Sequence, residues 1–267
     1  MFTDRSAAIL RRLEEKGEVK VSELSSLLGC SEVTIRNDIR KLEKKGALRR
    51  THGGAVAKEG AGRRAERLQG SWLGKNVEKK QAIAREAYRL IEDGDTIMID
   101  DATTTFYLAE YIREHPGKQI AVVTNSLLSG NELAGLPNVE LYIVGGYVGG
   151  RTPATMGEEA EKNISGFHVD KAFIGAHGIN FQAGMTSIGT PQMRMKQAIL
   201  RIAKEVYVMA DSSKFGGGYL QVVCPVDALT RIITDDQISA RHLEEAGKWR
   251  DRIIIASLDG KEQNYGA

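Results

Sequence analysis

The chain has 267 residues, 42% of them hydrophobic and 27% charged, with two cysteines. That is the composition of a globular protein with room for a small domain and a second one of about 180 residues. It excludes a disulfide framework, and no apolar run approaches the roughly 18 residues of a membrane span. The formal net charge of +2 hides an asymmetry: of the 37 Lys and Arg and 35 Asp and Glu, residues 1–58 hold 13 and 8, leaving 24 and 27 for the rest. The amino-terminal segment is therefore the end that suits an anionic polymer. MFTDRSAAIL lacks the apolar core of a signal peptide, so a cytoplasmic location is expected.

Ile9, Leu10 and Leu13 mark a first helix that ends before Gly17. After an alternation at Val19 and Val21, Ser22 is placed to cap a second helix with an apolar edge of Leu24, Leu27 and Leu28, closed by Gly29. Ser31 is placed to cap a third. On it, Ile35, Ile39 and Leu42 recur at i, i+4 and i+7 and share one buried face. The opposite face carries Thr34, Arg36, Asn37, Arg40, Lys41 and Lys44, donors that suit base edges and phosphates. Gly46 is the expected stop. Leu48, Arg49, Arg50 and a Gly53-Gly54 turn before Ala55 and Val56 then read as a basic hairpin, so the whole is a winged helix-turn-helix. The candidate DNA contacts are Ser31, Thr34, Arg36, Asn37, Arg40 and Lys41 on the helix, with Arg49, Arg50, His52 and Gly53 on the wing.

The Gly- and charge-rich stretch 58–75 reads as a linker, which puts the DNA-binding domain at 1–57, a second domain at 76–258 and a tail at 259–267. Asn76 is placed to cap a helix with Ile83, Ala87, Leu90 and Ile91 on one face and Gly94 as its stop. Short β-branched runs then alternate with helical patterns: TIMID from Thr96, IAVVTN from Ile120, VELYIVGG from Val139, KAFIGA from Lys171, VYVMA from Val206, RIITD from Arg231 and RIIIA from Arg252. Helices are expected over Phe106–Ile112, Leu127–Leu133 and Gln192–Lys204. Strands of this type are buried on both faces, and the alternation implies a Rossmann-like α/β domain with a mostly parallel sheet.

Ligands of such sheets bind outside the carboxyl ends of the strands. The candidates there are Asp100, Thr103, Thr104 and Thr105 after the first strand, Asn125 after the second, and Gly145, Gly146 and Arg151 after the third. Lys196 early on its helix, with Asp211 and Lys214 after VYVMA, completes the set. Hydroxyl and N–H donors for a phosphate, lysines to balance its charge, and carboxylate and amide groups for hydroxyls form the chemistry of a phosphorylated-sugar site. Cys30 and Cys224 lie far apart without C-x-x-C spacing, and the histidines include no H-x-x-x-H pair, so no metal or cofactor is expected.

Residues 5–56 resemble the N-terminal domain of the DeoR family of bacterial transcriptional regulators, through Thr34, Ile35, Arg36, Asp38 and Leu42 in the helix and Arg50, His52, Gly53, Gly54 and Ala55 in the wing. Residues 76 to about 236 resemble the family's sensor domain, through IDDATTT from Ile99, VVTNS from Val122, IVGG from Ile143, ATMGEEA from Ala154, RMKQAIL from Arg194 and DSSKFG from Asp211. The resemblance implies a repressor of a sugar-utilisation operon, controlled by a phosphorylated sugar or polyol, that binds double-stranded operator DNA as a dimer or higher oligomer. Three positions depart from the family pattern: Asn37 for an arginine, Ala102 for a glycine and Gln192 for a glutamate. The competing expectation is a sugar-phosphate isomerase or deaminase with a DNA-binding appendage, using Asp100 and Asp101 as acid and base.

Overall fold

The computed structural model describes residues 5, 6, 8, 9, 12, 13, 18–44, 48–51, 53–57, 72–149 and 152–259. Two compact units, Met1–Gly70 and Ser71–Ala267, divide the chain.

In the first unit, β1 (Glu18–Lys20) leads into α1 (Val21–Leu28), and α2 (Glu32–Lys44) follows a three-residue turn. β2 (Leu48–Arg50) and β3 (Gly54–Ala57) form the wing. β3 is central, antiparallel to both others, with Lys20 opposite Gly54 and Arg50 opposite Ala55. The core contains Ile9, Leu13, Val19, Val21, Leu24, Ile35, Ile39, Leu42, Leu48 and Ala55, with Cys30 and Leu28 packed against it. The i, i+4, i+7 face of α2 is thus fully buried. Gly29 closes α1 in the left-handed conformation at φ 62°, a geometry that glycine adopts without a Cβ penalty.

Two expectations fail here. Lys20, not Ser22, occupies the N-cap of α1 and makes no side-chain cap; the Val21 N–H is satisfied instead by the Gly53 carbonyl oxygen at 2.9 Å. The wing turn does the capping, and Ser22 lies inside the helix. Leu27 is 60% exposed, so the apolar edge of α1 rests on Leu24 and Leu28. Leu10 and Gly46 lie outside the described residues.

The second unit is built on a seven-stranded, wholly parallel sheet of β4 (Thr96–Ile99), β5 (Ile120–Thr124), β6 (Val139–Ile143), β9 (Val169–Gly175), β12 (Ala203–Met209), β14 (Arg231–Asp235) and β15 (Ile253–Ala256). Their order is β15-β14-β12-β9-β4-β5-β6. From β4 the chain steps outward through β5 to β6, and from β9 it steps the other way through β12 and β14 to β15. The topological switch lies between β4 and β9, the place at which ligands of such sheets bind. Ile97, Met98, Val122, Phe173, Ile174, Val208 and Ile232 are all buried, as unalternating apolar runs require. β6 differs: Tyr142 and Ile143 are 42% and 47% exposed, because an edge strand has no neighbour on one side.

Other elements were not visible in the sequence pattern. β7 (Tyr147–Gly149) and β8 (Ala154–Met156) form a hairpin, and β10 (Gly178–Asn180), β11 (Gly184–Ser187) and β13 (Gln221–Cys224) form a small antiparallel sheet. The helices are α3 (Val77–Arg89), α4 (Thr103–Glu114), α5 (Leu127–Leu133), α6 (Glu158–Ile164), α7 (Thr190–Ile202) and α8 (Ala240–Glu245). α7 passes directly into β12 at Ala203, which places Lys204 in the strand rather than the helix. Asn76 precedes α3 at φ 56° without capping it; its amide donates to Asp211 Oδ1 at 3.1 Å.

Candidate nucleic-acid interface and ligand crevice

Ser31 caps α2: its Oγ accepts from the Thr34 N–H at 3.2 Å, and its carbonyl oxygen accepts from Ile35 at 3.1 Å. With the apolar face of α2 turned into the core, Arg36, Asn37, Arg40 and Lys41 are exposed, as are Ser31, Arg50 and Gly53, while Thr34 is half-buried. Arg36 donates to Glu32 at 3.0 Å across one helical turn, an exposed pair weak enough to be exchanged for a phosphate or a base. Asp38 points the other way, 5% exposed, and accepts from Arg5 Nε at 2.5 Å. That contact ties the first helix to α2 and holds the Arg5 guanidinium above its ordinary range, through the hydrogen bond first and the Asp38 charge second. The Arg50 N–H donates to Glu43 Oε1 at 3.1 Å and fixes the wing to the end of α2. A cleft lined by Arg36, Arg40, Arg50, Thr51 and Gly53 runs between helix and wing. His52 and the side chain of Arg49 lie outside the described residues.

In the second unit the switch point gathers the ends of β4, β5, β9 and β12. Asp100 is fully buried and fully engaged. Its Oδ1 accepts from the Ala102 N–H (3.1 Å) and Thr105 Oγ1 (2.8 Å), and its Oδ2 from the Gly175 N–H (3.0 Å) and Lys196 Nζ. Lys196, 4% exposed, also donates to the Gly175 carbonyl oxygen at 2.7 Å. This ion pair knits β4 to β9 and leaves Lys196 paired. Thr105 is likewise directed into the loop, whereas Thr103 is half-buried at the first turn of α4. Thr104 is 5% exposed.

Glycine at 175 is dictated by packing: a Cβ there would stand 2.2 Å from the Ala102 Cβ. The side chain that Ala102 adds to this loop is thus accommodated by the glycine opposite. Gly146 serves a similar purpose, since its Cβ would meet that of Ala160 on α6 at 2.8 Å. Gly145 is exposed, and its carbonyl oxygen accepts from Asn163 at 3.3 Å.

Three further groups stand after these strand ends, and of them Asp101 accepts from Thr152 Oγ1 at 3.4 Å. Asn125, 1% exposed, donates from Nδ2 to the Thr155 carbonyl oxygen at 3.2 Å, while its Oδ1 is buried without a hydrogen-bond partner. Asp101 beside it is pushed up from the usual carboxylate range, by burial first and the Asp100 charge second. Lys214 is half-buried and forms no ion pair among the described residues. Asp211 is committed elsewhere: its Oδ1 accepts from Asn76 and from the Ser213 N–H (3.0 Å) and Oγ (2.5 Å). Arg151 lies outside the described residues.

Two further residues with shifted titration escaped the sequence reading, Lys80, which donates to the Leu73 carbonyl oxygen at 3.3 Å, and His177. Lys80 on α3, 3% exposed, is pushed down to about 8 by burial, with Lys214 and Lys75 adding to the effect and Asp211 opposing it. His177 follows the end of β9, and its Nδ1 lies 3.3 Å from Ser187 Oγ. The rule that singled out the other strand ends points to it equally in KAFIGAHG; nothing in the KK of α3 marks Lys80.

Comparison with known proteins matches both units to one family. The description "DeoR-like helix-turn-helix domain" fits residues 5–60, and "DeoR C terminal sensor domain" fits residues 75–236. The chain belongs to the DeoR family. Within it, a putative aga operon transcriptional repressor of Escherichia coli O157:H7 is 31% identical over 95% of this chain and 93% of its own length. The uncharacterized HTH-type transcriptional regulator FruR of Bacillus subtilis (strain 168) is 34% identical over 87% of this chain and 90% of its own length. A lactose phosphotransferase system repressor of Lactococcus lactis subsp. lactis is 33% identical over 92% and 95%. Like the other DeoR-family members, the chain is a DNA-binding transcriptional regulator rather than an enzyme. No described helix is long and apolar enough to cross a membrane.

Proposed function

We propose that the chain represses a sugar-utilisation operon and is released from its operator by a phosphorylated sugar or polyol bound in the β4/β9 crevice. What supports this is the presence, after strands of one parallel sheet, of an uncommitted cation, Lys214, beyond β12 and a buried acceptor that has no donor, Asn125 Oδ1, beyond β5. A phosphate suits the first and a hydroxyl the second. The relatives named for aga and lactose systems support the same class of signal. Asp100 and Lys196 shape the crevice, and Asp101, Thr103 and Lys214 line it.

On this reading two copies present paired α2 helices and wings to a pseudo-palindromic operator. Ser31, Thr34, Arg36, Asn37, Arg40 and Lys41 contact one major groove, while Arg49, Arg50, His52 and Gly53 grip the flanking backbone. The effector acts by binding the DNA-incompetent arrangement more tightly than the competent one. The test is a titration of operator DNA, selected by the protein from a random library, with pentose, hexose and polyol phosphates and their free counterparts. Release by one phosphorylated compound, and by none of the free ones, is expected; release by none at all overturns the effector assignment.

A further inference from the structure

We propose that His177 is a further effector contact, donating its Nε2–H to the effector's phosphate and so favouring phosphorylated over free sugars; this rests on the effector reading above. The backbone fixes its place. β9 ends two residues earlier, and β10 begins one residue later. A parallel bridge of Ile179 to Phe215, with the Gly216 N–H donating to the Ile179 carbonyl oxygen at 3.1 Å, lays the Lys214 turn alongside. On the other flank, Gly178 pairs with Thr186, which brings the fully buried Ser187 to the imidazole.

The proposed tautomer fits that contact. A buried hydroxyl is satisfied when its hydrogen reaches an acceptor, and among the described residues the partner of Ser187 Oγ is Nδ1, at 3.3 Å. With Ser187 as the donor, Nδ1 carries no hydrogen and Nε2 carries it. The ring is half-buried, with Tyr219 edge-on at 6.0 Å, and Nε2 has no partner among the described residues. The charged groups around it are Lys196 from α7, Asp100 from the end of β4 and Lys214 from its turn. Burial, then Lys196 and Lys214, hold its pKa down to about 4 against the opposing pull of Asp100. The imidazole is therefore neutral at pH 7 and acts through its N–H.

A phosphate follows from the donor count. The Lys214 ammonium and the His177 N–H come from adjacent segments, and each is a donor without a paired acceptor. A sugar hydroxyl would bring a hydrogen that itself needs an acceptor; a phosphate dianion brings acceptor oxygens only. The acceptor for a hydroxyl, Asn125 Oδ1, lies at the end of β5. Three inter-strand intervals separate β5 from β12, about 14 Å between backbones, so in the proposed pose the phosphate and the hydroxyls of the effector reach different strand ends.

The test uses the full chain labelled with 15N-histidine, with the His177 signals assigned by their loss in His177→Gln. At pH 7 the expected spectrum is that of a neutral Nε2–H tautomer, and Ser187→Ala is expected to mix the two tautomers. Titration with inorganic phosphate should move the His177 signals in step with a rise in thermal midpoint. In His177→Ala, about tenfold more phosphate should be needed for the same rise. An Nδ1–H tautomer, an imidazolium at pH 7, or a phosphate- or sugar-phosphate-driven rise that leaves His177 unmoved overturns the proposal and leaves the effector reading standing. If neither inorganic phosphate nor any sugar phosphate raises the midpoint, the effector reading falls and the His177 contact with it.

Discussion

Lys196 donates both to the Asp100 carboxylate and to the Gly175 carbonyl oxygen, joining the ends of β4 and β9 across the topological switch. A lysine early on a helix beside the strand ends reads from sequence as a phosphate anchor; here its ammonium is held by Asp100 and Gly175. Removing one member of a buried pair leaves the other uncompensated, at about 3–5 kcal/mol. Lys196→Met is therefore expected to lower the unfolding free energy of the sensor unit by about that amount in urea titration. Lys196→Met combined with Asp100→Asn should recover part of the loss, because the stranded charge is removed as well. Equal loss in the single and double variants would show that the pair is not the source.

Lys214 offers the contrast. With no ion pair among the described residues, its replacement strands nothing, so Lys214→Ala should change stability by less than about 0.5 kcal/mol. A hydrogen bond to a charged group contributes about 1.5–3 kcal/mol, so the effector concentration that half-releases operator DNA should rise at least tenfold, about 1.4 kcal/mol. Operator affinity without effector should stay as in the wild type. Unchanged release would move the phosphate elsewhere in the crevice.

The pH dependence of stability follows from His177. Its folded pKa of about 4 lies below the ordinary 6.5, so between those values the unfolded chain binds more protons than the folded one. Stability then rises with pH across that window and is lost as pH falls from 6.5 toward 4. Thermal midpoints recorded from pH 7 to 4 should fall for the wild type and fall less steeply for His177→Gln. Equal slopes would place the acid sensitivity on the carboxylates alone.

The parts of this fold that could be read from sequence are those whose physics is local. Ile35, Ile39 and Leu42 declare a buried helix face, Ser31 a cap, Gly29 a left-handed stop, and runs such as IAVVT a buried strand. What stayed hidden depends on partners remote in the chain. The α1 cap is provided by the Gly53 carbonyl oxygen, Asn76 is diverted to Asp211, and Lys196 is engaged by Asp100. β10 and β11 are three and four residues long and begin with glycine, too short for a period to register. Ala102 in place of glycine is visible in sequence as a departure; that Gly175 makes room for it is visible only in three dimensions.

Gly54 tests the wing. A Cβ at this position would stand 1.8 Å from the Val19 carbonyl oxygen, a backbone atom that cannot swing aside. Gly54→Ala must push β3 from β1 and disturb the turn whose Gly53 carbonyl oxygen caps α1. Overpacking of this kind destabilises by about 1–3 kcal/mol or more. Operator binding should be lost or sharply weakened, while effector-induced stabilisation of the sensor unit is retained. Retention of wild-type operator affinity would mean that the wing contributes little to the grip on DNA.

Asn37 is expected to set a base preference of this chain. It is exposed on α2 between Arg36 and the buried Asp38, on the face opposite Ile35, Ile39 and Leu42. A carboxamide matches the N6 and N7 edge of adenine, whereas a guanidinium matches O6 and N7 of guanine. Asn37→Arg should therefore exchange an adenine preference for guanine at one position in each half-site, with discrimination of about 1–3 kcal/mol. Binding to operators substituted base by base reads this directly. A general gain in affinity across all substituted sites, with a steeper dependence on salt, would instead assign position 37 to the phosphate backbone.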